Sequence, residues 1–90
     1  MKLAEVKNEY GHTELHHDPG LGYSVVAAHR GISSNIYFIP TRQEAEKHFL
    51  WYVGYEEWKE ASEQAFKAHR DRWLAAHPTL DSVGAVDTRP

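Results

Sequence analysis

Two periodicities divide the chain near residue 41. Before it, apolar residues fall in short alternating or clustered runs: Ala4, Val6 and Tyr10; then Leu15; then Val25-Val26-Ala27-Ala28; then Ile36-Tyr37-Phe38-Ile39. Alternation over a few residues is the mark of a strand. Residues 2–9 predict a strand at a sheet edge, where Lys7 discourages further pairing. Thr13–His17 predicts a short second strand with Leu15 inward. Tyr23–Arg30, apolar on both faces at its centre, predicts a central strand. Turn chemistry separates these runs: Gly11, then Asp18-Pro-Gly-Leu-Gly22, then Gly31-Ile-Ser-Ser-Asn35, read as a hairpin loop before Ile36–Ile39.

After Pro40 the spacing becomes helical. Thr41-x-x-Glu44 is a capping box, in which a hydroxyl and a carboxylate each satisfy an orphan amide of the first turn. Pro78 supplies the stop, since proline biases the residue before it away from helix. Between them Ala45, Phe49, Tyr52 and Val53 form one apolar stripe. Tyr55, Trp58, Ser62, Ala65, Phe66, His69, Trp73 and Ala76 form a second, opposite Glu56, Glu60, Glu63, Lys67, Arg70 and Asp71. On one unbroken helix the two stripes differ by roughly 130°. They part at Gly54, which tolerates a left-handed cap. An unbroken helix would also run about 54 Å, against a radius of gyration of about 12 Å for a compact domain of this size. Either the helix breaks or kinks at Gly54, or a second chain buries the surplus apolar surface. The expected architecture is α+β: a small antiparallel sheet of two to four strands, then one long, kinked or broken C-terminal helix. Residues 1–77 form the single domain and 78–90 an extended or mobile tail.

Composition narrows the function classes. Cysteine is absent, which excludes disulfides, thiolate metal sites and cysteine nucleophiles and fits a reducing cytoplasm. No signal peptide is visible, and no apolar run approaches the ~20 residues that span a bilayer. Net charge is −3 and evenly spread, so neither half carries the basic footprint of nucleic-acid binding. Seven histidines make the charge pH-sensitive, and protonating them all would reverse its sign.

Candidate chemistry is sparse. His12, His16, His17 and Asp18 are the residue types that suit zinc, nickel or copper. On a strand, however, His12 and His16 lie roughly 13 Å apart, and His16 and His17 point to opposite faces. Glu44 and His48 share a helix face without an HExxH motif. Gly20-Leu-Gly22 precedes a strand, whereas phosphate-binding glycines follow one and open a helix. The hairpin ending in Tyr37-Phe38, followed by Thr41-x-x-Glu44-Ala45, resembles the three-strand-plus-helix arm domains of phage integrases. That resemblance implies DNA reading by basic strands. The strands here offer only His29 and Arg30, with Arg70 and Arg72 on the helix.

The aromatic set is the strongest feature. Trp51, Tyr52, Tyr55 and Trp58, with Phe49, Phe66 and Trp73, exceed what one helix needs against a small sheet, and Trp and Tyr are favoured binding anchors. Trp51 is expected to face outward. The sequence therefore points to a non-catalytic, cofactor-free, cytoplasmic protein-interaction module. It would serve as an inhibitor, an anti-defence or immunity factor, or a regulatory subunit, and bind a protein partner or a second copy of itself as a homodimer through Trp51, Tyr52, Tyr55 and Trp58. The alternatives are a nucleic-acid-binding accessory domain using Arg30, Arg70 and Arg72, and a metal binder using His12, His16, His17 and Asp18.

Overall fold

A computed structural model describes residues 1–29 and 32–87. Four long strands follow one another as an antiparallel meander: β1 (Lys2–Asn8), β2 (Gly11–Asp18), β3 (Gly22–His29) and β4 (Ile32–Ile39). Helices α1 (Arg42–Trp58) and α2 (Glu63–Ala76) come next, then a single 3₁₀ turn (Asp81–Val83) and a two-residue β5 (Val86–Asp87). The sheet order is β4-β3-β2-β1-β5. The α+β class is as expected, but two helices replace the single long one.

Local chemistry accounts for most boundaries. Asn8 Oδ1 accepts from the Tyr10 and Gly11 amides and closes the first hairpin. Leu21 N–H donates to Asp18 C=O in the second. Thr41 Oγ1 accepts from the Glu44 amide, so the predicted helix start holds. The expected loop differs: Ile32–Asn35 belong to β4, while Arg30 and Gly31 lie outside the described residues. Ser33, Ser34 and Asn35 resemble turn residues, yet Ser33 and Asn35 lie on the open face, where polar side chains suit a strand, and Ser34, on the other face, hydrogen-bonds Tyr52.

Both helices lie on one side of the sheet. Leu15, Val25, Ile39, Ala45 and Phe49 meet there in one core with Trp58 and Trp73. Val26 and Ala28, expected to be covered on both faces, are half-buried on the open side. Leu80 is 4% exposed and belongs to the core, and Val86–Asp87 pair with β1. The segment after Pro78, expected as an extended or mobile tail, instead turns through a 3₁₀ helix and packs against the rest as far as residue 87. No described helix is long and apolar enough to cross a membrane.

The helix does break, but not at Gly54. That residue is buried inside α1, about one turn before its end, and the chain reverses over Lys59–Ser62. Ser62, placed on the apolar stripe by its spacing, instead caps α2 by accepting from the Ala65 amide. Gly54 serves a different end. A Cβ there would collide with the six-membered ring of Trp58 and come within 2.7 Å of Trp73. The missing side chain is the seat of two indoles, which cross edge to face at 5.1 Å. The inner stripe of α2 is Phe66, Arg70, Trp73, Leu74 and His77, and His69 is exposed.

Gly54→Ala tests this seat. In an ordinary helix interior the change gains up to about 1 kcal/mol. Here overpacking should outweigh that gain and leave a net loss of about 1–3 kcal/mol, read as a lower denaturation midpoint at constant slope. A net stabilisation would show that the indoles do not need the space.

Candidate functional site

The C-terminal half of α1 carries Tyr52, Tyr55 and Glu56, and Lys59 is its C-cap, spaced so that all four share one side of the helix. That side faces β3 and the edge strand β4. With Ala27, His29, Ser34 and Trp51 these residues line a cavity of about 320 Å³. Ser34 Oγ and Tyr52 OH share a hydrogen bond of 2.9 Å across it.

His29 reaches the cavity by strand alternation. Val25, Ala27 and His29 all face α1, and His29 stands opposite Gly11, which has no side chain to fill the space. Its Nε2 lies 3.3 Å from Thr13 Oγ1. Its Nδ1 is buried without a hydrogen-bond partner and faces Glu56 Oε1 across 3.9 Å. The other carboxylate oxygen of Glu56 holds Lys59 Nζ at 2.6 Å. Glu56 was expected on a wet face, yet only 7% of its side chain is exposed. Burial holds the His29 imidazole below its ordinary pKa, against the pull of the Glu56 carboxylate.

Thr13, His29 and Glu56 follow the order hydroxyl, imidazole, carboxylate of a nucleophilic triad. Their placement does not serve one. Thr13 is 1% exposed and has no open path to a substrate, and 3.9 Å exceeds a hydrogen bond. The cavity brings a buried carboxylate and a buried imidazole beside aromatic rings.

Of the four aromatic residues nominated from sequence, Trp51, Tyr52 and Tyr55 line this cavity. Trp58 is fully buried and belongs to the core, because Gly54 gives its ring a seat there. Trp51 is half-buried rather than outward-facing. It stacks on Tyr55 at 5.2 Å and meets Tyr52, Trp58 and Phe66 within 6.4 Å. A wider groove of about 650 Å³ between the helices takes in its far side, with His48, Leu74 and His77.

The other nominated sets do not converge. Arg30 lies outside the described residues. Arg70 donates to Asp71, and Arg72, two positions on, projects to a different side of α2. His12 and His16 share the open sheet face, where each Nε2 sits 3.2 Å from a different oxygen of Glu14. His17 points the other way and packs on Tyr23 at 4.6 Å, while Asp18 accepts from Ser24. Among the described residues no group of three or more His, Cys, Asp or Glu is placed to hold a metal ion. His29 and Glu56 were missed, though a signal existed: position 29 continues the inward alternation of 25 and 27, and position 56 continues the stripe of Tyr52.

The buried imidazole sets a pH dependence. With its pKa below the ordinary 6.5 in the folded state, the unfolded chain takes up the proton first as pH falls. The stability that this group contributes is therefore present at neutral pH and lost as pH drops below about 6.5. Urea midpoints between about pH 7.5 and 5.5 should fall more steeply for the wild type than for His29→Gln. Equal slopes would mean that His29 titrates as a solvated group.

Comparison of the chain with protein-family models, with curated proteins and with solved structures finds no significant match.

Proposed function

We propose that the chain is a non-catalytic protein-interaction module, of the class used as inhibitors, anti-defence or immunity factors, or regulatory subunits. It engages a protein partner along β4 and the aromatic cavity beside it. The observation that carries this reading is the chemistry of the edge. β4 is an eight-residue edge strand, Ile-Ser-Ser-Asn-Ile-Tyr-Phe-Ile, without one charged side chain. Edge strands are ordinarily guarded by lysine, proline or shortness, because their unpaired amides and carbonyls template further pairing. The opposite edge follows that rule, with only two residues in β5. β4 does not.

The far end of β4 adds anchors. Its register with β3 slips between Tyr23 and Val25, a bulge that takes up Tyr37 and Phe38. Phe38 sits at φ 60°, in the left-handed region, and is 72% exposed; Tyr37 beside it is 56% exposed. A bulky residue costs about 1–2 kcal/mol there, and such strain gathers at functional positions. An exposed aromatic pair at the end of an uncharged edge suits an extended segment that adds as a strand, with backbone bonds for affinity and rings for specificity. The nucleic-acid reading has no comparable support. Lys2 and Lys7 are the only Lys or Arg on β1 and β2, and Lys2 pairs with Glu5 at 3.0 Å.

Phe38→Gly separates this role from a structural one. Glycine adopts the left-handed conformation freely, so the folded state should hold its stability or gain up to about 1 kcal/mol. The protein captured from host lysate and identified by mass spectrometry should, once purified, bind the variant at least about tenfold more weakly. Asn35→Lys, which places a charge on the edge, should act likewise. Unchanged affinity in both variants would reject β4 as the binding edge. Submicromolar duplex binding at about 150 mM salt, lost on Arg70→Ala and Arg72→Ala, would reject protein binding in favour of nucleic acid.

A further inference from the structure

We propose, resting on the protein-binding reading above, that the cavity beside Ser34 receives a guanidinium or ammonium group on a basic side chain of the partner segment that lies along β4. Position is the first argument. Ser34 of the edge strand lines the cavity together with Ala27 and His29 of the neighbouring strand. A strand added to β4 would run about 4.8 Å outside it, with every second side chain turned toward α1. One such side chain passes the cavity mouth.

Charge is the second argument. Among the described residues the only carboxylate lining the cavity is Glu56, whose side chain is 7% exposed. Lys59 occupies its Oε2, but Oε1 faces His29 Nδ1 across a gap longer than a hydrogen bond. The buried imidazole adds no second positive charge at neutral pH, so Lys59 on Oε2 is the carboxylate's charged partner and Oε1 is left to face the ring. When Nε2 carries the ring proton toward Thr13, Nδ1 is an acceptor. Oε1 and Nδ1 then form two acceptors side by side, which suits a group carrying several N–H donors. The walls agree with this polarity: Trp51, Tyr52 and Tyr55 line the same cavity, and aromatic faces attract cations. A volume of about 320 Å³ is at the lower end for small-molecule pockets and suits one long side chain. Lys59 already shows the chemistry from within the chain, with an ammonium on Glu56 at the end of α1.

The test uses the side chain alone, so that it does not depend on finding the partner. N-acetyl-arginine amide, titrated into the full chain and followed by NMR, should bind in about the millimolar range and shift the amides around residues 52–59. N-acetyl-citrulline amide, nearly the same shape without the charge, should bind at least about tenfold more weakly. Glu56→Gln should abolish the preference for arginine, and Lys59→Ala should tighten arginine binding by removing the competing ammonium. Equal binding of arginine and citrulline, or an unchanged preference in Glu56→Gln, overturns the proposal. If that variant does not fold, the citrulline comparison on the wild type decides. If arginine binds while Phe38→Gly and Asn35→Lys leave the partner's affinity unchanged, delivery by a strand on β4 is overturned. If those variants lose the partner while arginine does not bind, the cavity assignment alone is overturned.

Discussion

A missing side chain at residue 54 fixes how the two helices meet. Glycine inside a helix costs about 1 kcal/mol relative to alanine, yet α1 keeps one, buried, about one turn before its end. In return the indoles of Trp58 and Trp73 come down onto the helix backbone, and each ring removes roughly 150–250 Å² from water. Their indole N–H groups are buried without partners, so shape rather than hydrogen bonding places these rings. The reversal over Lys59–Ser62 follows: α2 must return for Trp73 to reach Gly54, and the end of α1 therefore falls directly after Trp58. That same end holds Lys59 on Glu56. The geometry of the cavity is thus a consequence of how the helices lock.

Much of this was legible in the sequence, and the failures have identifiable causes. The alternation around Leu15 and Val25, the cap at Thr41 and the stop at Pro78 are local signals, and each appears where expected. The offset between the two apolar stripes correctly indicates that one straight helix is not enough. It does not locate the break, because a glycine that accepts a ring and a glycine that ends a helix look identical in a sequence. Ser62, the true restart, lacks a glutamate or glutamine three residues on to mark it as a cap. Ser33–Asn35 read as a loop because their polarity signals a turn only when both faces of the sheet are covered.

The candidate site was half legible for a related reason. Aromatic excess near residues 51–58 pointed to the right turns of α1, but which rings are spent on the core depends on Gly54. Trp58 is spent there; Tyr52 and Tyr55 are not. Glu56 was hidden because surface and buried acids share one code letter, and only the tertiary position of β3 tells them apart. Phe38 gave no sign at all. Its left-handed backbone would ordinarily ask for glycine or asparagine, so the strain arises from the register between β3 and β4 rather than from local preference.

An uncharged edge strand attracts partners without choosing among them, since backbone groups are the same in every extended segment. Selection has to come from side chains that reach something beyond the edge. On the open face, His12, Glu14 and His16 already satisfy one another, and β4 itself offers only Ser, Asn, Ile and two rings. On the proposed reading Glu56 differs because it lies out of water: a second cation on its Oε1 would be held with little screening by salt, whereas an acidic side chain would meet a like charge and an apolar one would leave Oε1 facing only His29. Such penalties discriminate more sharply than added attraction does. A neutral edge for capture and a desolvated acid beside it for choice is the division of labour that the proposed function assigns to this sheet and helix.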